Sequence, residues 1–135
     1  MNITVTKESV VPIYRQIRDA IRSDILKGRL KEGEFLPTPS ALAKELNVPK
    51  FNVSRAYSEL VEEGLVESTN RLTPIISYDR VEHIRAMSKK EFCAEFSKVA
   101  TDYVMTGVSK SDLMKTITDV VAEVYLKEGE RNEHI

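Results

Sequence analysis

The sequence predicts a mainly α fold with one small β-hairpin, arranged as an N-terminal domain over residues 1–78 and a two-helix C-terminal element over residues 79–135. Three observations predict it. Apolar residues recur at helical spacing along most of the chain. Thr38-Pro39, Asn47-Val48-Pro49 and Gly64 bracket two short helices joined by a tight turn, which is a helix-turn-helix. Strand-type residues on either side of Asn70-Arg71 follow directly, as a hairpin requires.

Size and composition set the bounds. A chain of 135 residues holds one domain and a small appendage, and 41% apolar residues suffice for a modest core. The formal net charge of −1 and a pI near 6.2 give no global basic signature. A nucleic-acid face must therefore be local and rest on a few phosphate contacts. The single cysteine, Cys93, excludes an internal disulfide and fits a reducing compartment. No apolar run approaches the ~20 residues of a membrane span. Lys7 and Glu8 interrupt any signal-peptide core, so a cytoplasmic chain is expected.

Met1 to Ser9 is polar with scattered β-branched residues, and is expected to be a loosely packed leader or a short extended arm. Val10 to Lys27 reads as a helix, with Ile13, Ile17, Ala20, Ile21 and Ile25 on one face and Gly28 as its stop. Arg15, Arg18 and Arg22 form a neighbouring stripe, either facing phosphates or, more in keeping with the nearby Asp19 and Asp24, paired or solvated. Leu30 to Leu36 is a turn and an extended piece. Thr38 is a good N-cap and Pro39 a natural first helical residue, with Ala41, Leu42 and Leu46 on one face. Pro49 and the restriction it places on Val48 break that helix. A second helix runs from about Lys50 to Glu63, apolar at Val53, Ala56, Tyr57, Leu60 and Val61, and Gly64 ends it.

Val66 to Thr69 and Leu72 to Ser77 form the hairpin arms, with Arg71 at the tip and Pro74 confining the second arm to a sheet edge. Tyr78 to Met87 is a connector with some helical content. Ser88-Lys89-Lys90-Glu91 has capping-box spacing and opens a helix carrying Phe92, Phe96, Val99 and Tyr103, ended by Gly107. Ser109 to Asp112 opens a last helix carrying Leu113, Ile117, Val120, Val121 and Val124, and a polar tail from Gly129 frays. Two such helices cannot enclose a core alone. The simplest cover is the same pair from a second chain, so a homodimer is expected.

Several motifs resemble the GntR family: Pro12 to Ile17, Leu26 to Pro37, Ala41 to Val48, Arg55 to Leu60 and Glu63 to Glu67, in unbroken register from about Val11 to Glu67. The short C-terminal region, with its Gly107 to Asp112 link, is similar to the YtrA subfamily. The resemblance implies a winged helix-turn-helix that binds double-stranded DNA, a small strand from the extended piece beside the wing, and a dimerisation element without a large effector pocket. It implies a transcriptional regulator, expected here to be a repressor acting by occlusion.

The second helix of the motif enters the major groove N-terminal half first. The base-reading candidates are then Lys50, Phe51, Asn52, Ser54 and Arg55, with Asn52 suited to adenine, Lys50 to guanine and Phe51 to a thymine methyl. Phosphate or groove candidates are Ser40, Lys44, Tyr57 and Arg71. The family pattern is not kept throughout. Ser40 and Ser54 stand where arginines are usual, Asn52 where threonine is, and the wing from Ser68 to Ile76 has no glycine. An unusual operator is the reading these changes favour. The others are weak DNA binding, or an adaptor that uses the same domain to bind protein.

An enzyme is not expected. His83 and His134 lie far apart, Cys93 has no adjacent base, and there is no phosphate-binding glycine loop. No metal or cofactor is expected. The sequence leaves room for a small-molecule effector between the C-terminal helices and the N-terminal domain, and no residue identifies one.

Overall fold

The computed structural model describes residues 1–69 and 73–133. Its elements are α1 (Ile13–Leu26), α2 (Pro39–Leu46), α3 (Lys50–Glu63), β1 (Val66–Glu67), β2 (Ile75–Ile76), α4 (Val81–Val104) and α5 (Lys110–Glu133). They form two compact units, Met1–Ile84 and Arg85–Ile135. The division falls inside α4, whose first turn joins the N-terminal core through the buried Val81.

In the first unit, α3 is the element against which the others pack. It contacts α1, α2 and β1. The i, i+4, i+8 stripe Ile17, Ile21 and Ile25 of α1 is fully buried, together with Leu42, Val53, Ala56, Leu60 and Leu65. Val61, expected on the same face, is exposed. Helix α1 begins at Ile13 rather than Val10, because Pro12 sits at the N-cap in an extended conformation. Thr38 Oγ1 accepts from the Ala41 N–H at 3.1 Å and caps α2 as expected. The end of α2 differs in cause. Asn47 takes the left-handed conformation, φ 55°, and stops the helix, while Pro49 serves as the N-cap of α3. Gly64 ends α3 at φ 80°.

The hairpin pairs Val66 with Ile76 and Glu67 with Ile75, antiparallel. Its second arm is not at an edge, as Pro74 had suggested. Residues 33–36 lie along its far side: the Ile76 N–H donates to Glu34 O at 2.8 Å, and Gly33 N–H to Ile76 O and Leu36 N–H to Pro74 O at 2.9 Å. Pro74 is tolerated there because it precedes the ladder and contributes only its carbonyl. The extended piece expected beside the wing is thus present, with an isolated bridge between Phe35 and Ile75. Tyr78 closes the arrangement by donating its hydroxyl to Leu30 O at 2.6 Å.

The leader is better held than expected. Met1, Ile3 and Val5 pack against the core at alternate positions. The Gln16 side chain accepts from Thr6 N–H at 2.8 Å and donates to Thr6 O and Val11 O at 2.9 Å.

In the second unit, the helix expected to open at Ser88 begins at Val81 and runs through the capping box. Residues 81–87 contain no glycine or proline, so nothing stops the helix there and Ser88 lies in its interior. Gly107, at φ 91°, turns the chain, and Ser109 Oγ accepts from the Asp112 N–H at 3.1 Å. Helix α5 continues through Gly129 to Glu133 rather than fraying at the glycine. Among the described residues, no helix is long and apolar enough to cross a membrane.

Candidate nucleic-acid interface

Successive residues of α3 turn by about 100°. That places Lys50, Ser54, Ser58 and Phe51 in turn across one outward arc, with Lys50 at one margin and Arg55 at the other, toward α1. Lys50 is exposed, Phe51 is 68% exposed and Ser54 is half-buried. On α2, Ser40 and Lys44 are both exposed. These side chains offer a cation, an apolar ring and hydroxyls at the N-terminal half of the helix, while Glu59, Glu62 and Glu63 lie toward its C-terminal end. The first half alone suits a groove walled by phosphates.

Two sequence-based expectations change here, and a third residue is engaged within the protein. Asn52 is only 7% exposed, because its place on α3 turns it toward the domain and away from the outward arc. It is not presented to a base edge. Tyr57 is buried at 4% exposure and donates its hydroxyl to Pro37 O at 2.8 Å, so it is a core residue and not a phosphate contact. Burial, and then the charge of Glu45, push its phenol pKa up. Arg55 is exposed but engaged: its guanidinium carbon lies 3.7 Å from the centroid of the Tyr14 ring, and its Nε is 3.4 Å from Glu59 Oε2. Arg71, expected at the wing tip, lies outside the described residues.

Glu59 joins this margin to α1. Arg18 donates to Glu59 Oε1 at 2.6 Å and to Asp19 Oδ1 through Nε at 3.0 Å and Nη2 at 2.8 Å. The hydrogen bond from Arg18 is the largest influence holding the Glu59 carboxyl below the usual range. The Arg18 guanidinium is raised, first by Asp19 and then by Glu59. Arg22 similarly meets Glu63 at 3.0 Å. Of the arginine stripe of α1, Arg18 thus pairs with Asp19 as expected and also with Glu59 of α3, while Arg22 pairs with Glu63 of α3, a partner the sequence did not indicate. Sequence reasoning missed Tyr14 and Glu59. The i, i+4 spacing of Arg55 and Glu59 was a usable signal, whereas nothing local connects Tyr14 to α3.

In the second unit, Phe92, Phe96, Val99, Tyr103, Val120, Val121 and Val124 are exposed, and Leu113 and Ile117 are half-buried. Met105, Met114, Tyr125 and Leu126 add to the apolar surface. Phe92 and Phe96 stack with centroids 5.6 Å apart. Among the described residues, no group of three or more His, Cys, Asp or Glu side chains is placed to hold a metal ion.

The family model for bacterial regulatory proteins, gntR family, matches residues 13–72. The HTH-type transcriptional repressor YtrA of Bacillus subtilis is 30% identical over 97% of this chain and 99% of its own length. The mannosyl-D-glycerate transport/metabolism system repressor MngR of Escherichia coli is 42% identical over 72 residues, covering 53% of this chain and 30% of that protein. The chain thus spans under a third of MngR and nearly all of YtrA. Among solved structures, YtrA from Sulfolobus acidocaldarius, a GntR-family transcription factor, is 35% identical with a TM-score of 0.54, over 67% of this chain and 97% of that one.

Proposed function

The chain belongs to the GntR family of bacterial regulatory proteins, and on that premise we propose that it is a dimeric, sequence-specific DNA-binding repressor acting in the cytoplasm. The observation that carries the proposal is the exposed N-terminal half of α3, with Lys50, Phe51 and Ser54 outward and Ser40 and Lys44 of α2 beside it. A recognition helix docks through that half. Lys50 hydrogen-bonds a guanine edge, Phe51 packs on a thymine methyl, and Ser54 serves either base type. Ser40 and Lys44 contact the backbone and set the register. Lys44 and Lys50 are cations on neighbouring helices, which gives the local positive charge that the neutral chain as a whole lacks.

The dimer is supported by the uncovered apolar faces of α4 and α5. Two copies present two recognition helices, and a two-fold protein reads a palindromic site. The length match to a YtrA repressor supports repression, by occupying promoter DNA.

The test is selection of bound sequences from a random duplex pool, followed by titration of the winner across a salt series. A recovered palindrome whose affinity falls steeply with salt is the expected result. Lys50→Ala should lower discrimination at one base pair per half-site by roughly 1–3 kcal/mol. Absence of binding to any duplex at low salt would overturn the proposal and assign the domain to protein contacts.

A further inference from the structure

We propose that Arg55 is a phosphate clamp and not a base reader, held in position by Tyr14 and Glu59. The inference rests on the DNA-binding reading above. On α3, Phe51 and Ser58 lie at the middle of the outward arc and Lys50 at its far side, whereas Arg55 lies on the side that meets α1, against Tyr14 and Glu59. A helix seated in the major groove has base edges below it and phosphates at its sides. A side chain at the margin faces a wall.

The posture of Arg55 fits a wall contact. Its guanidinium carbon is 3.7 Å from the Tyr14 ring centroid, which sets the cation against the ring face. Stacked this way, its N–H donors radiate sideways in their own plane. Glu59 takes the Nε side at 3.4 Å, and among the described residues nothing takes the two Nη amines. Two parallel donors on a fixed plane match the oxygens of a phosphate. The order is in place before DNA arrives, so less side-chain freedom is lost on binding.

Arg18 completes the device. A bare carboxylate at position 59 would repel an approaching phosphate. Arg18, shared between Glu59 at 2.6 Å and Asp19 at 2.8 Å, offsets part of that charge while leaving the carboxylate in place to orient Arg55. Tyr14, Glu59 and Arg18 are therefore positioning residues, and of these four Arg55 alone touches the nucleic acid.

The test compares the full-length protein with R55A, R55K, Y14F and Y14L. Each is titrated against the selected operator and a scrambled duplex over a salt series, and each is put through the random-pool selection. R55A should weaken both duplexes by the same factor, about ten-fold. It should also reduce the slope of log affinity against log salt by about 0.9, and leave the selected sequence unchanged. R55K keeps the charge and hence the slope, but loses affinity because an ammonium neither stacks flat nor forks. Y14F, which retains the ring face, should match the unaltered protein, and Y14L should lose affinity with the slope intact. A changed sequence preference in R55A overturns the proposal, as does unchanged affinity and slope. Wild-type affinity in Y14L overturns the positioning role. If the unaltered protein binds and R55A is neutral, this inference alone falls; if the unaltered protein binds no duplex, the DNA-binding reading falls with it.

Discussion

The Tyr57 hydroxyl ties α3 to the carbonyl of Pro37, one residue before the cap of α2. It therefore holds the helix-turn-helix angle from inside the core. Tyr57→Phe keeps the ring and deletes the donor. It should cost about 0.5–1.5 kcal/mol, read as a lower thermal midpoint, with the salt slope of DNA binding unchanged. A lost phosphate contact would move that slope instead. Asn52 invites a similar separation of roles. At 7% exposure it cannot reach a base edge without leaving its site, so Asn52→Ala should select the same DNA sequence as the unaltered protein. A changed preference would show that α3 rearranges on binding. Glu59 makes an acid-range prediction. Its carboxyl is held below the ordinary value chiefly by the Arg18 hydrogen bond, so the unfolded chain takes up the proton more readily than the folded one. Its contribution to stability is complete above the ordinary carboxylate pKa and is lost as pH falls through the lower folded value. Glu59→Gln should flatten that part of the stability profile, measured by denaturant titration at a series of pH values.

At the scale of elements, the junctions around α3 carry the fold. Gly64 is at φ 80°, and a Cβ there would meet Arg80 Cγ at 2.6 Å. Gly64→Ala adds left-handed strain to a steric conflict with the residue that leads into α4, and should cost more than about 1 kcal/mol by thermal or chemical unfolding. The bounds of α2 and α3 were legible in the sequence because their stop and start signals are local: Thr38-Pro39, Asn47 and Gly64 each act within a turn of the helix they bound. The errors fall where partners are remote. Pro74 was placed at an edge because nothing near it announces that residues 33–36 will pair on its far side. Ser88 has the spacing of a cap, yet a cap needs a break before it, and residues 81–87 supply none. The candidate site was legible in the same proportion. An outward arc can be drawn from helical period alone, which found Lys50, Phe51 and Ser54. The same period turns Asn52 toward the domain, whereas the stacking of Arg55 at the edge of the arc depends on the ring that α1 brings to it.

For the whole molecule, the question is what covers α4 and α5. Phe92 and Val99 are 65% and 62% exposed, and Val120, Val121 and Val124 are about as open. Large apolar side chains left open at helical spacing on both helices call for a partner surface. Helix α4 carries one stripe, Phe92, Phe96, Val99 and Tyr103, at steps of four, three and four. Helix α5 carries two, one through Leu113, Ile117, Val120 and Val124 and another through Met114, Val121 and Tyr125. A helix with two such stripes is suited to face two neighbours at once, as in a four-helix arrangement. One chain supplies two helices, so two chains supply four. The full-length protein should therefore have the mass of a dimer in solution. Phe96→Asp or Val121→Asp places a charge in the proposed interface and should yield a folded monomer, checked by light scattering together with helical content. Joining two half-site readers makes the second contact intramolecular, which raises affinity for a whole operator by roughly 100- to 10,000-fold. The monomeric variants should lose that factor on the palindrome while binding an isolated half-site as the unaltered protein does. A wild-type monomer at micromolar concentration would contradict the arrangement, and so would an Asp variant that stays dimeric.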